Sequence, residues 1–474
     1  MNRPGKTNQT NAPNALNQPN DPNALMRADA ERIFLKAVDA VDPERAVQRH
    51  VALEGEDLLV GGRRLPLNSV ERVLVVGAGK ADAPMAKALE DLLGDRISAG
   101  VIVVKEGHAL PLRRVRVFEA SHPIPDERGV RGTQALLSLL HDVSERDLVF
   151  CLISGGGSAL MIAPAEGVTL EDKQAVTRLL LACGATIHEI NAVRKHLSRV
   201  KGGNLARAAY PATLVSLILS DVVGDDLDVI ASGPTVPDSS TFSQAEEILR
   251  RYGIWDDTPS SVRRRILSGL KGEIEETPKP EDPAFQKGIW QLVGTNLQAL
   301  LAAQEEARRL GYKPLILSSG IEGETREVAR ALAAVAKEVI ASGNPIPPPA
   351  CILSGGETTV TLRGDGRGGR NQEFVLASAM ALEGTRPVVV LSGGTDGTDG
   401  PTDAAGALAD PTTLDRARRM GLEPRDFLDR NDSYPFFKRL GDLLMTGPTR
   451  TNVMDVRILL VGVPEGPSSA SSQG

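Results

Sequence analysis

The chain has 474 residues, too many for one ordinary core at roughly 100–200 residues per domain, so two or three domains are expected. Hydrophobic residues make up 41% and aromatics only 3%, beside 47 glycines; that balance suits aliphatic α/β layers with parallel strands. A net charge of -7 without a concentrated basic stretch argues against a nucleic-acid partner. Cys151, Cys183 and Cys351 are too sparse for a disulfide framework or a zinc site, and no apolar run reaches the length of a membrane span, so a reduced cytoplasmic protein is expected.

Residues 1–27 are rich in Asn, Pro and Gln and are expected to form a disordered tail, as are residues 463–474. From residue 28 helical periodicity begins, and the run from Val73 to Val76 predicts a buried strand. It leads at once into Gly77-Ala-Gly79-Lys80. Strand signals VIVV, VRVFEA, VFCLIS and TLVSLILS follow, separated in several places by helical stretches, which predicts a largely parallel sheet with helices on both faces over residues 28–271. Residues 272–287 are charged and Pro-rich and read as a linker. A second α/β domain is expected over residues 288–462, with CILS, TTVTL, VVVLS and RILLVG as strands.

Five strand ends lead into loops rich in glycine or acids. They are Gly77 to Asp82, Ser154-Gly155-Gly156-Gly157-Ser158, Ser220 to Asp225, Ser354-Gly355-Gly356-Glu357-Thr358, and Ser392 to Gly397. Glycines there allow backbone N–H groups to close on an anion, and open α/β sheets bind ligands at the carboxyl ends of their strands. Lys80 is a cation placed in such a turn. Its loop matches neither the P-loop nor the dinucleotide fingerprint, whose third glycine is here Asp82.

Three further clusters carry charge. Asn191, Arg194, Ser198 and Lys201 fall on one face of a helix, with Lys195 and Arg199 on another. Gly366-Arg367-Gly368-Gly369-Arg370-Asn371 places two guanidinium forks in a glycine-rich turn before a helix. Asp396, Asp399 and Asp403 lie in a glycine-spaced loop able to hold a hard cation. Cationic anchors, phosphate-type loops and metal-binding acids together are what phosphoryl transfer needs.

In their order, the motifs GAGKA, SGGGSAL, NAVRKHLSRVKGG, SDVVGDDLDVIASGPT, SGGETTV, GRGGRNQEF and GTDGTDGPTDAAGA resemble those of the class II glycerate 2-kinases. The likeness runs from about Ala28 to Gly462. It implies a Rossmann-like N-terminal glycerate-kinase domain, a C-terminal MOFRL domain with a mixed sheet, and an active site between them. It implies ATP-dependent phosphorylation of the 2-hydroxyl of D-glycerate, with Mg²⁺. Lys80 and Arg370 match the family's proposed functional Lys and Arg, and Asp221 is expected among the catalytic residues, with Asp221 or Asp225 as the base. Ser154 to Ser158, Arg194, Lys195 and Lys201 are expected to hold substrate. Gly77, Gly79, Gly355, Gly356, Glu357, Thr358 and Asn371 are expected at the nucleotide, and Asp225 and Asp396 at the metal. Two other readings stay open: a hydroxypyruvate reductase using NADH or NADPH, and a non-catalytic binding protein. Small molecules are the expected partners, with a homodimer as one expected assembly.

Overall fold

Two six-stranded sheets, whose central strands are aliphatic and buried on both faces, form the frame of the molecule. The computed structural model describes residues 21–464; residues 1–20 and 465–474, most of the two expected tails, lie outside the described residues. A three-stranded antiparallel sheet, β1 (Val51–Glu54), β2 (Asp57–Val60) and β3 (Arg63–Pro66), precedes the first large sheet.

The first large sheet contains β4 (Arg72–Ala78), β5 (Ile97–Lys105), β6 (Val115–Ala120), β7 (Asp147–Ile153), β8 (Thr213–Leu219) and β9 (Gly288–Gly294). All pairings are parallel, in the order β6-β5-β4-β7-β8-β9. This is the order of the dinucleotide-binding doubly wound folds, and it reverses between β4 and β7. The loops carrying Lys80 and Gly155 therefore flank the switch point.

The second sheet contains β10 (Lys313–Ser318), β11 (Ala350–Gly356), β12 (Val388–Gly394), β13 (Gly406–Ala409), β14 (Leu443–Leu444) and β15 (Asp455–Val461). It is mixed, in the order β10-β11-β15-β12-β13-β14. Strand β15 runs antiparallel between β11 and β12, pairing Asp455 with Gly356 on one side and with Gly394 on the other. The last strand thus starts where two neighbours end, and the loops after Gly356 and Gly394 converge on Asp455.

Three expectations differ from the structure. Helix Pro22–Ala40 starts inside the expected tail: Asp21 caps it, Pro22 suits its first turn, and Met26 is fully buried. That helix packs on the second sheet, with Phe34 against Gly393 and Arg27 paired to Asp410 and Asp442. Gly288–Gly294 belongs to the first sheet, pairing in parallel with Thr213–Leu219, so the expected boundary at residue 288 does not separate the sheets. The β-branched run after Glu357 is not a strand, because both edges of β11 are occupied and the chain leaves the sheet at Gly356. One apolar cluster includes Phe34, Val75, Phe150, Leu391 and Ile458, so both sheets share a core. No helix among the described residues is long and apolar enough to cross a membrane.

Candidate active site

Lys80 follows β4 by two residues, and its backbone N–H donates to Gly155 O at 2.9 Å. The carbonyl of Lys80 contacts His108 Nδ1 at 2.9 Å. So fixed, the side chain crosses to the second sheet, where Nζ lies 3.4 Å from Asp396 Oδ2. The other Asp396 oxygen accepts from the Thr398 N–H and hydroxyl, both at 3.0 Å. Gly156 has φ 84°, a backbone conformation that favours glycine, and a Cβ there would stand 2.9 Å from His122 and 3.5 Å from Lys80 Cγ. Burial, with Lys80 and Lys105 nearby, lowers His122 to about 4.

Asp221 stands beside Gly155. A Cβ at Gly155 would fall 2.4 Å from Asp221 Oδ2 and 2.8 Å from Asn452 Nδ2, so the glycine leaves room for both. Burial raises Asp221 to about 6; Lys80 opposes that shift and Glu357 adds to it. The Asp221 carboxylate is thus within electrostatic reach of both sheets.

Arg370 begins the helix Arg370–Ala381. Its Nε and Nη2 donate to the two oxygens of Asp455 at 2.7 and 3.0 Å, a bidentate grip, and Nη1 lies 2.8 Å from Glu357 Oε1. Burial opposes the charge, but Asp455 and Glu357 hold the guanidinium above its ordinary value. Asp455 is fully buried and is also met by Asn371 at 2.9 Å and Arg457 at 3.2 Å. Burial raises Glu357 while Arg370 and Lys80 both pull it down, so the two cations act on one carboxylate from opposite sheets.

The predicted residues divide by what surrounds them. Lys80, Gly155, Gly156, Asp221, Glu357, Arg370 and Asp396 come together. Gly77 and Gly79 do not open onto this space: added Cβ atoms would meet Leu152 O at 2.4 Å and Ser154 Oγ at 2.0 Å. Ser154 is itself internal, donating to buried Asp82 at 2.5 Å. Gly355 packs on Asn296 and Gly356 on Ile321, while Thr358 is buried against Thr325 and Arg457. Asn371 is spent on Asp399, Asp455 and Ser392.

Of the three acids in the glycine-spaced loop, only Asp396 faces Lys80. Asp399 accepts the N–H groups of Asn371 and Gln372, taking the N-terminus of that helix, and Asp403 accepts from Tyr434 at 2.6 Å. Asp225 has φ 55° in the loop after Asp221. Among the described residues no three His, Cys, Asp or Glu side chains are grouped to hold a metal. Gly157 packs on Ala78 O, and Ser158 turns away from Lys80 toward Arg194 and Lys201. Lys195 is paired with Asp228 and Asp238 and is held inside its own domain.

Sequence reasoning missed Asp455, Asn452 and His122. Asn452 and Asp455 belong to the segment Thr449–Asp455, in which Arg450 and Met454 have φ 64° and 69°. Such strained backbone collects at functional sites and is invisible to residue-type patterns.

These sites can be set beside known proteins. A model described as a domain of unknown function, DUF4147, matches residues 29–267, and the MOFRL family model matches residues 350–455. A glycerate 2-kinase of Pyrococcus horikoshii is 44% identical over 436 residues, covering 92% of this chain and 97% of that protein. This chain belongs to the class II glycerate 2-kinase family. The crystal structure of a glycerate kinase from Thermotoga maritima aligns with a TM-score of 0.82 at 44% identity, covering 92% of this chain and 99% of that one. A protein of Agrobacterium vitis named putative hydroxypyruvate reductase is 47% identical over 433 residues, 91% of this chain and 93% of its own length. The glycerate 2-kinase family pattern of a parallel N-terminal sheet and a mixed MOFRL sheet is the architecture found here.

Proposed function

We propose that this chain is a glycerate 2-kinase, transferring the γ-phosphoryl group of ATP to the 2-hydroxyl of D-glycerate to give 2-phosphoglycerate and ADP. The observation that carries the reading is the Lys80–Asp396 pair beside the Arg370–Glu357 pair, where the switch-point loops of one sheet meet the convergent loops of the other. Two cations set among carboxylates suit a phosphoryl group that spreads negative charge as it moves.

In the step, the glycerate 2-oxygen forms a bond to the γ-phosphorus as the bond to the ADP oxygen breaks. Lys80 and Arg370 neutralise the equatorial oxygens. The hydroxyl proton passes to Asp221, whose raised carboxyl is a stronger base than an ordinary Asp. Asp455 and Asn371 fix the Arg370 fork, so little reorganisation accompanies charge movement. Asp396 and Glu357 are hard oxygen donors of the kind Mg²⁺ takes, and an ion that keeps waters and phosphate oxygens needs only one or two of them. Bound there, Mg²⁺ would neutralise the triphosphate.

The reductase name carried by the Agrobacterium vitis relative motivates a second reading. The loop after β4 argues against it: Ser154 Oγ fills the space at Gly79 that a dinucleotide pyrophosphate would need, and buried Asp82 stands at the third glycine position. The test gives purified protein glycerate, ATP and Mg²⁺, then enolase. Absorbance of phosphoenolpyruvate is expected. Its absence, with NADH or NADPH consumed on hydroxypyruvate, would replace the kinase reading with the reductase one.

A further inference from the structure

A second cationic group lies behind the Gly155–Gly157 turn, and it has no carboxylate of its own. Arg194 Nη2 donates to Ser158 Oγ at 2.5 Å and approaches Ser158 O at 3.4 Å. Lys201 Nζ donates to the same carbonyl at 2.8 Å and hydroxyl at 3.2 Å, although Lys201 is only 1% exposed. Lys173, also buried, donates to Leu197 O at 2.8 Å and adds to the positive field on Lys201. Ser158 Oγ is 2.8 Å from Ser232 Oγ, which in turn donates to Asn191 at 3.0 Å.

The contrast with Lys195, one residue along the same helix, is informative. Lys195 is buried against two aspartates, the usual requirement for a buried charge. Arg194, Lys173 and Lys201 are paired with no acid among the described residues, and the charged groups facing them are one another and Arg265, whose own acid is Glu166. Burial accordingly pushes Arg194 to about 10 and Lys173 to about 7. A fold does not collect three like charges in its interior for stability. Ser158 and Arg194 still reach solvent, whereas Lys201 and Lys173 stand behind them. Ser158 is two residues from Gly156, which faces Lys80, so their Cα atoms are within about 7 Å.

We infer that Ser158, Arg194 and Lys201, backed by Lys173, are the seat for the carboxylate of the acceptor, and that they select short 2-hydroxy acids over neutral alcohols. This rests on the kinase reading above. The carboxylate would complete the unused donors of the Arg194 fork and supply the missing negative charge. The turn that carries Ser158 also borders Asp221 at Gly155 and Lys80 at Gly156, which sets the acceptor next to the reacting groups.

The test compares the parent with Arg194→Gln, Arg194→Lys and Lys201→Met by steady-state kinetics and by thermal melting with and without D-glycerate. KM for glycerate should rise about ten- to a hundredfold while KM for ATP stays within about twofold. The parent's preference for glycerate over glycerol should shrink in Arg194→Gln, and Arg194→Lys should keep part of it. Unliganded Lys201→Met should melt no lower than the parent, since it loses a buried cation that nothing offsets. Its glycerate-induced rise in melting temperature should disappear. An unchanged KM for glycerate, or a rise in KM for ATP instead, would overturn the assignment. Should Lys201→Met melt lower because the charge is structural, the partly exposed Arg194 variants still decide. A parent that phosphorylates no glycerate counts against the kinase reading, and the glycerate melting shift of parent against Arg194→Gln then decides this site separately.

Discussion

Lys80 Nζ lies 3.4 Å from Asp396 Oδ2, an ion pair between the loop that ends β4 and the loop that ends β12. With Lys80 only 15% exposed, this pair is better shielded than most surface bridges. It places a cation of one domain in the acidic rim of the other.

Lys80→Ala should therefore lower kcat by about a hundred- to a thousandfold, the usual effect of removing one group that meets transition-state charge. The pair is not fully buried, so melting should shift little. A coupled enolase assay and a thermal melt on the same sample check both halves. A variant with near-parent turnover would take Lys80 out of the mechanism.

Asp455 supports Arg370 rather than substrate. Asp455→Asn leaves fully buried Arg457 beside a neutral amide and loosens the Arg370 fork. We expect a loss of about 3–5 kcal/mol in chemical denaturation, as when one member of a buried ion pair is removed. Arg370→Lys keeps the charge but loses the bidentate grip, so its defect should appear mainly in kcat.

Acid should switch the reaction off through Asp221. Its carboxyl is raised to about 6, so the base form is lost as pH falls through that value and turnover falls with it. Asp221→Asn should be slow and lack this acid limb. Stability has the opposite sense. Below the ordinary value of 3.8 the native and unfolded groups are both protonated, and the contribution of Asp221 to stability is full; it declines as pH rises through about 6. Asp221→Asn should thus melt no lower than the parent at pH 7, and a clear drop would contradict the assignment.

Gly155→Ala places a methyl group 2.4 Å from Asp221 Oδ2, whereas Gly79→Ala places one 2.0 Å from buried Ser154 Oγ. The first should cost activity with a modest change in melting, because Asp221 is not fully buried and can swing aside. The second should lower the melting temperature, because Ser154 is locked to Asp82. Circular-dichroism melts beside kcat distinguish them; equal stability losses would show that both glycines serve packing.

How much of this was legible in the sequence depended on whether a residue's neighbours were local. Lys80, Arg370 and the alternation of strands and helices follow from short patterns. Gly155 and Gly79 look alike in a string, yet one borders Asp221 and the other Ser154. Arg194 and Lys195 are adjacent, but the turn of the helix sends one to Ser158 and the other to Asp228 and Asp238. Asp455 escaped notice because its part comes from β15 landing between β11 and β12, a matter of register that no local motif encodes.

Strand β15 also imposes an order of events on biosynthesis. Asp455 follows Lys80, Asp221, Glu357, Arg370 and Asp396 in the chain, and β11 and β12 meet only through the strand it begins. While the polypeptide is still emerging from the ribosome, the Arg370 fork has no anchor. A nascent chain halted before this strand would carry a finished first sheet and an unassembled catalytic centre, so the enzyme acquires its chemistry only when translation of the second lobe is complete.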